Sequence, residues 1–144
     1  FVMSMPRCVA ASRVTIMNKE EAERLVVDES KSMTVLLKRL RIQGCDIAVI
    51  TDGPKGSYSF DGKDFLKLNI MDVPVVERTG CGDAYASAFV AALHYGKSVG
   101  EAMRWGTANA ASKLGHVGPQ AGLIKKREMS RWLARFAEIQ PQNM

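Results

Sequence analysis

The period of apolar and polar positions changes several times along the chain, and each change marks an element. Val14-Thr15-Ile16-Met17 is a short β-prone run. Asn18 follows as an N-cap, and Glu21 three residues on completes a capping box for a helix over the next residues. From about Ser32 to Arg41, Met33, Leu36, Leu37 and Leu40 recur at helical spacing, and Gly44 stops the pattern. Ile47-Ala48-Val49-Ile50 is continuously apolar, as in a strand buried within a parallel sheet. Strand, helix, strand in that order predicts a βαβ unit. Tyr58 to Phe65 reads as a hairpin with Asp61-Gly62 as a two-residue turn, and Leu66, Leu68 and Ile70 carry the apolar phase onward. In Val73-Pro74-Val75-Val76 the proline favours an edge or a loop crossing over a central strand.

The second half is helical. A helix is predicted from Asp83 to about Tyr95, ended by Gly96. Ser98 caps another, with Glu101 as its reciprocal partner and an inner stripe of Val99, Ala102, Met103, Gly106 and Ala110. Arg127 to Phe136 is a final amphipathic helix, and Ile139 to Met144 is expected to fray. Residues 1–13 carry no pattern that places them, and the chain has no internal repeat.

Composition narrows the class. A chain of 144 residues, 47% hydrophobic and 24% charged, fits a single globular domain with a real core. No apolar run approaches a membrane span, and the opening residues lack the basic-then-apolar order of a signal peptide. Cys8, Cys45 and Cys81 are scattered without metal-ligand spacing, which suits free thiols in a reducing, cytoplasmic setting. The net charge of +5 is spread over the chain, with 15 acids among the basic residues, so no stripe for nucleic acid forms. The first residue is Phe rather than Met, from which the chain is expected to begin inside a longer reading frame.

Candidate chemistry centres on Arg78-Thr79-Gly80-Cys81-Gly82-Asp83-Ala84-Tyr85. Glycines on either side of Cys81 allow a sharp turn that presents backbone amides beside the positive end of the following helix. That arrangement cradles an anion such as a phosphate. Asp83, in the first turn, is placed to take a proton from an attacking hydroxyl. A tight loop with an acid favouring the dipole would have the same sequence, so other segments must decide. Thr51-Asp52-Gly53-Pro54-Lys55-Gly56 lies at the C-terminal end of a predicted strand, where open α/β sheets bind ligands, although turn chemistry alone accounts for Gly and Pro there. Gly115 to Leu123 is a glycine-rich loop; His116, alone in it, is assigned no catalytic role.

Four segments resemble, in order, the ribokinase-like (PfkB) carbohydrate kinases: Asn18-x-x-Glu21, Thr51-x-Gly53-x-x-Gly56, Thr79-Gly80-Cys81-Gly82-Asp83-Ala84, and the region from Asn109 to Gly122. The resemblance covers about Val14 to Leu133. It implies a three-layer α/β/α fold with a mostly parallel central sheet, present here as the C-terminal, nucleotide-binding half in one piece, residues 1–144. It implies that Asp83 is the base and that Gly80, Cys81 and Gly82 form the anion hole. By the same resemblance Asn18, Thr51, Gly53, Gly56 and Asn109 face the nucleotide. Glu21 joins the Mg²⁺ network through water, and Glu77, Thr79 and Gly122 surround a monovalent cation such as K⁺. Two departures stand out. The family writes Asp-Thr where this chain has Glu77-Arg78, and Ala where it has Cys81.

The expected function is an ATP- and Mg²⁺-dependent transfer of a phosphoryl group to a hydroxyl of a sugar or sugar-like alcohol. Its rival is a nucleotide-binding fragment or regulator without turnover, since the family's N-terminal half supplies most sugar contacts and a lid. A fragment would also expose a sheet edge and apolar surface, favouring homo-oligomers. A basic nucleic-acid-binding module is the poorest reading, and neither nucleic acid nor a membrane is expected as a partner.

Overall fold

The computed structural model describes residues 5–26 and 32–144. Residues 1–4, part of the opening read above as lacking a leader pattern, lie outside the described residues. The chain divides into two compact units, Phe1–Lys67 with Asn143–Met144, and Leu68–Gln142.

The first unit begins with helix α1 (Met5–Ala10), then strand β1 (Val14–Asn18), helices α2 (Lys19–Leu25) and α3 (Met33–Ile42), and strand β2 (Ile47–Thr51). A single 3-10 turn (Gly53–Lys55) leads to β3 (Ser57–Phe60) and β4 (Phe65–Leu68). Strand order is β1-β2-β3-β4-β5, with β5 at Gln142–Asn143. The predicted βαβ unit is present: β1 and β2 pair in parallel across α2 and α3. The sheet is mixed rather than mostly parallel, because β2 and β3 run antiparallel. A connection of five residues between β2 and β3 is too short for the crossover that parallel neighbours need.

Ala48, Val49 and Ile50 are all fully buried, and neighbours on a strand point to opposite faces, so β2 is covered on both. On one face Ala48 and Ile50 join Met17, Tyr58 and the α3 residues Leu36, Leu37 and Leu40 in one core cluster. Each of those leucines contributes roughly 1.5–3 kcal/mol by leaving water.

Two expectations are corrected here. The β3–β4 connection is four residues rather than two: Asp61 Oδ1 accepts the amides of both Lys63 and Asp64 at 2.9 Å, forming a side-chain-closed turn. The C-terminal tail does not simply fray, since β5 adds to the sheet edge and the Met144 amide donates to Phe65 O at 3.0 Å.

The second unit is built on α4 (Cys81–His94) and α5 (Val99–Leu114), with α6 (Lys126–Arg135) following. Ala84, Ala88 and Ala92 of α4 and Ala102, Ala108 and Ala111 of α5 are buried small residues, which let packed helices approach closely. The capping box at Ser98 forms as expected, its Oγ accepting the Glu101 amide at 3.2 Å. The predicted stripe is too narrow. Val99 and Ala110 are only half-buried, whereas Trp105 to Asn109 is buried without interruption, so α5 is enclosed on several faces. Residues 73–76 form a loop in which Val75 and Val76 are exposed, and the Val76 amide is held by Leu114 O at 2.7 Å.

Candidate functional site

In the first unit the candidate residues gather at the C-terminal ends of the parallel strands. Asn18 and Thr51 are register partners. Asn18 Oδ1 accepts the Glu21 amide at 2.9 Å, and Glu21 Oε2 accepts the Asn18 amide at 2.9 Å. The capping box is thus real, and both residues are exposed. Asp52 ties the neighbouring strand end to this helix through Lys19 at 3.8 Å. Beyond Thr51 the chain closes on itself, with the Asp52 amide donating to Gly56 O at 2.8 Å and Gly53 and Gly56 both at positive φ. Among the described residues no three His, Cys, Asp or Glu side chains stand close enough to hold a metal ion. The carboxylates of Glu21 and Asp52 at this edge are already paired, with the Asn18 amide and with Lys19, so a divalent ion here would need phosphate oxygens among its ligands.

In the second unit the turn before α4 has the predicted form. Gly80 is the N-cap in the left-handed region at φ 81°, and a Cβ there would stand 3.0 Å from Pro119 O. Glycine is required on both counts. The first amides of a helix have no intrahelical acceptors. The Cys81 amide is spent on Arg78 O at 3.2 Å and that of Ala84 on Gly80 O at 2.9 Å. Those of Gly82 and Asp83 have no acceptor among the described residues, and both residues are exposed. Of the amides of Gly80, Cys81 and Gly82, only that of Cys81 is spent, closing the turn; that of Gly80 likewise has no acceptor among the described residues. Burial pushes the Cys81 thiol above its ordinary value, so the side chain is a neutral packing group there.

Asp83, Ala84 and Ser87 form one wall of a pocket of about 270 Å³, and Pro119, Gln120 and Leu123 form the other. The second wall belongs to the glycine-rich loop, which is pinned at several points. The Gly118 amide donates to Glu77 Oε2 at 2.7 Å, and His116 Nδ1 lies 2.9 Å from Ser112 O. Gly122, at φ 81°, packs so tightly that a Cβ would overlap the His116 ring. Asn109 is buried and fully engaged: its Nδ2 donates to Ala84 O at 2.7 Å, and its Oδ1 accepts the Ile124 amide at 2.8 Å. It joins α4, α5 and the end of the loop.

Lys113 is the residue that sequence reasoning missed. Its side chain is completely buried, with Nζ donating to His116 O at 3.0 Å and Glu77 O at 3.4 Å and standing 4.0 Å from Glu77 Oε2. Hydrogen bonds from the Gly118 amide and the Thr79 side chain, with Lys113 nearby, hold the Glu77 carboxyl below the usual glutamate range. A monovalent cation at the position expected from Glu77, Thr79 and Gly122 does not fit this arrangement. The carboxylate is already bonded, and an ammonium is in place. Two unit positive charges about 4 Å apart repel by about 4 kcal/mol at an effective dielectric near 20.

The sequence of this chain matches the family model described as "pfkB family carbohydrate kinase" over residues 2–126. It is 33% identical over 105 residues to the cytidine kinase of Thermococcus kodakarensis, covering 72% of this chain and 38% of that protein. It is 40% identical over 93 residues to the 5-dehydro-2-deoxygluconokinase of Clostridium beijerinckii, covering 62% of this chain and 26% of that one. In structure it is similar to a ribokinase from Thermotoga maritima, with a TM-score of 0.80 and 23% identity over 90% of this chain and 44% of that one. A putative ribokinase II from E. coli, in complex with ATP and Mg²⁺, aligns with a TM-score of 0.84 and 16% identity over 92% of this chain and 42% of that one. The chain spans less than half the length of these relatives.

Proposed function

The chain belongs to the pfkB family of carbohydrate kinases, and on that premise we propose that it carries the phosphate-handling machinery of an ATP-dependent phosphotransferase acting on a hydroxyl of a sugar-like alcohol. The observation that carries the reading is the start of α4, where Asp83, exposed and with an unpartnered amide, lines the pocket and is directly preceded by the unpartnered amide of Gly82.

The chemistry follows from that placement. Phosphoryl transfer needs alignment and charge stabilisation more than covalent help. Amides at a helix start supply both to an anion, reinforced by the helix dipole. Asp83 is exposed, so its carboxylate can reach a hydroxyl and accept its proton as the oxygen attacks. Gly80, as the left-handed cap, sets the direction of the turn. Asn18, Thr51, Gly53 and Gly56 serve the nucleotide at the strand ends of the first unit. Asn109 acts on the site indirectly, by holding the α4–α5 pair and the loop. Bound with the nucleotide, Mg²⁺ would neutralise charge on the phosphates, with Glu21 available to it through water. The alcohol substrates of the relatives range from a nucleoside to 5-dehydro-2-deoxygluconate by their names, so the acceptor is stated here as a class.

One observation favours a second reading. The chain spans only 26–44% of the relatives named above, which suits a nucleotide-binding piece that does not turn over by itself. Titration calorimetry with ATP and Mg²⁺ tests the first part: saturable binding of one nucleotide is expected, and no binding by the folded chain overturns both readings. A coupled ADP-release assay with a panel of sugars and nucleosides separates them. Acceptor-dependent ADP release supports the kinase, and binding without release supports the fragment.

A further inference from the structure

We propose that Lys113 is a built-in cation for the turn that precedes α4, doing from within the chain what a bound monovalent ion would do beside Glu77. The ammonium is completely buried. An isolated charge in such a place is prohibitively costly, so its partners define what it is for. Those partners are two backbone carbonyls, Glu77 O and His116 O, and the Glu77 carboxylate. Carbonyl and carboxylate oxygens are the ligands that hard monovalent cations take, and here one side chain has all of them. Lys113 also ends in the last turn of α5, where the helix dipole favours positive charge.

The ammonium sits between the two segments that shape the pocket. Glu77 O also receives the Cys81 Sγ–H at 3.9 Å, from the first residue of α4. The Glu77 carboxylate grips the Gly118 amide next to Pro119, which forms part of the opposite wall. Lys113 is therefore a positioning residue. By fixing Glu77 from one side and the His116 carbonyl from the other, it holds the amides of α4 and the glycine-rich loop in register. The turn is then ordered without K⁺. The consequence for phosphate binding rests on the function proposed above, whereas the cation assignment does not.

The test compares the wild-type chain with Lys113→Met in KCl and in choline chloride at equal ionic strength. Thermal unfolding is read first, then ATP affinity by calorimetry. The wild type should unfold at the same midpoint and bind ATP equally in both salts. Lys113→Met should be destabilised in choline and recover in KCl, as K⁺ enters the vacated ring of oxygens, with ATP affinity about tenfold better in KCl than in choline. A wild type stabilised by K⁺ over choline overturns the proposal. So does a variant that loses stability equally in both salts, which would make Lys113 an ordinary buried lysine. If the variant does not fold in either salt, ²⁰⁵Tl NMR on the wild type decides: a bound Tl⁺ signal overturns the proposal, and its absence upholds it. The unfolding and Tl⁺ readings involve no turnover, so failure of the kinase reading would leave them unchanged.

Discussion

Asn18 and Thr51 face each other as register partners at the ends of β1 and β2, so the N-cap of α2 and the last residue of β2 share one edge of the sheet. Capping and ligand binding can both use that edge, and substitution separates them. Asn18→Ala removes the acceptor for the Glu21 amide and should cost about 1 kcal/mol of stability, read by urea unfolding. If Asn18 also serves the nucleotide, ATP affinity should fall in both Asn18→Ala and Asn18→Ser, although Asn18→Ser keeps a capping oxygen and near-wild-type stability. Equal affinity in all three proteins would confine Asn18 to the cap.

Asp83→Asn tests the base. The amide cannot take the proton, yet it keeps the size of the carboxylate and leaves the α4 backbone unchanged. Turnover in any acceptor assay that registers the wild type should fall by about 10²–10⁴-fold, with ATP affinity changed little. Undiminished turnover would remove Asp83 from the mechanism.

Asn109→Ala should damage stability more than any exposed candidate residue. It leaves the part-buried Ile124 amide without its partner, at roughly 1–3 kcal/mol, and removes one bond to the Ala84 carbonyl, which keeps the Ser87 hydroxyl. Circular dichroism melts would show the loss. A change within error would mean that water replaces the side chain.

The Asp61 turn makes stability depend on acid. Burial alone would raise this carboxyl, but the amides of Asp64 and Lys63 outweigh it and hold the group below its ordinary value of 3.8. The folded state therefore binds its proton less readily than the unfolded state. The contribution is complete above that ordinary value and is lost as pH falls through the lowered one. Asp61→Asn keeps the accepting oxygen but does not titrate. Its urea midpoint should match the wild type at pH 7 and decline less between pH 4 and the acid limit; identical acid limbs would contradict this.

Gly122→Ala places a methyl group against the His116 ring at a positive φ. The variant should be destabilised by about 1–3 kcal/mol through strain and overpacking. His116→Ala in the same chain should restore part of that loss, whereas strictly additive losses would locate the strain in the backbone alone.

What could be read from sequence was what the chain decides locally. The boxes at Asn18–Glu21 and Ser98–Glu101 each close within three residues, and both are present. The continuous run from Ile47 to Ile50 announced a strand covered on both faces, and the βαβ order gave the parallel pair. Periodicity predicted α3, α4 and α6 to within a residue or two of their ends, and the Ser98 cap gave the start of α5. Contacts between distant positions were not legible. Lys113 meets the carbonyl of a residue 36 positions earlier, and Asn109 bridges residues 25 before and 15 after it. No local pattern distinguishes a lysine that will be buried from one that will be solvated. The two-residue β5 is likewise too short to carry a period, and its pairing depends on an edge supplied by β4. The turn at Asp61 was misread because Asp-Gly suggests a tight hairpin, while the side chain closes a wider one.

The glycine-rich loop is fastened along its length, at His116, Gly118 and Ile124. A loop held at so many points has little conformational freedom left to lose, so a ligand entering the pocket beside Asp83 meets a surface already in its bound shape. Recognition there should be lock-and-key on the protein side, with fast association and a small ordering entropy. Any motion that shields the phosphate from water must then arise in some other segment than this loop.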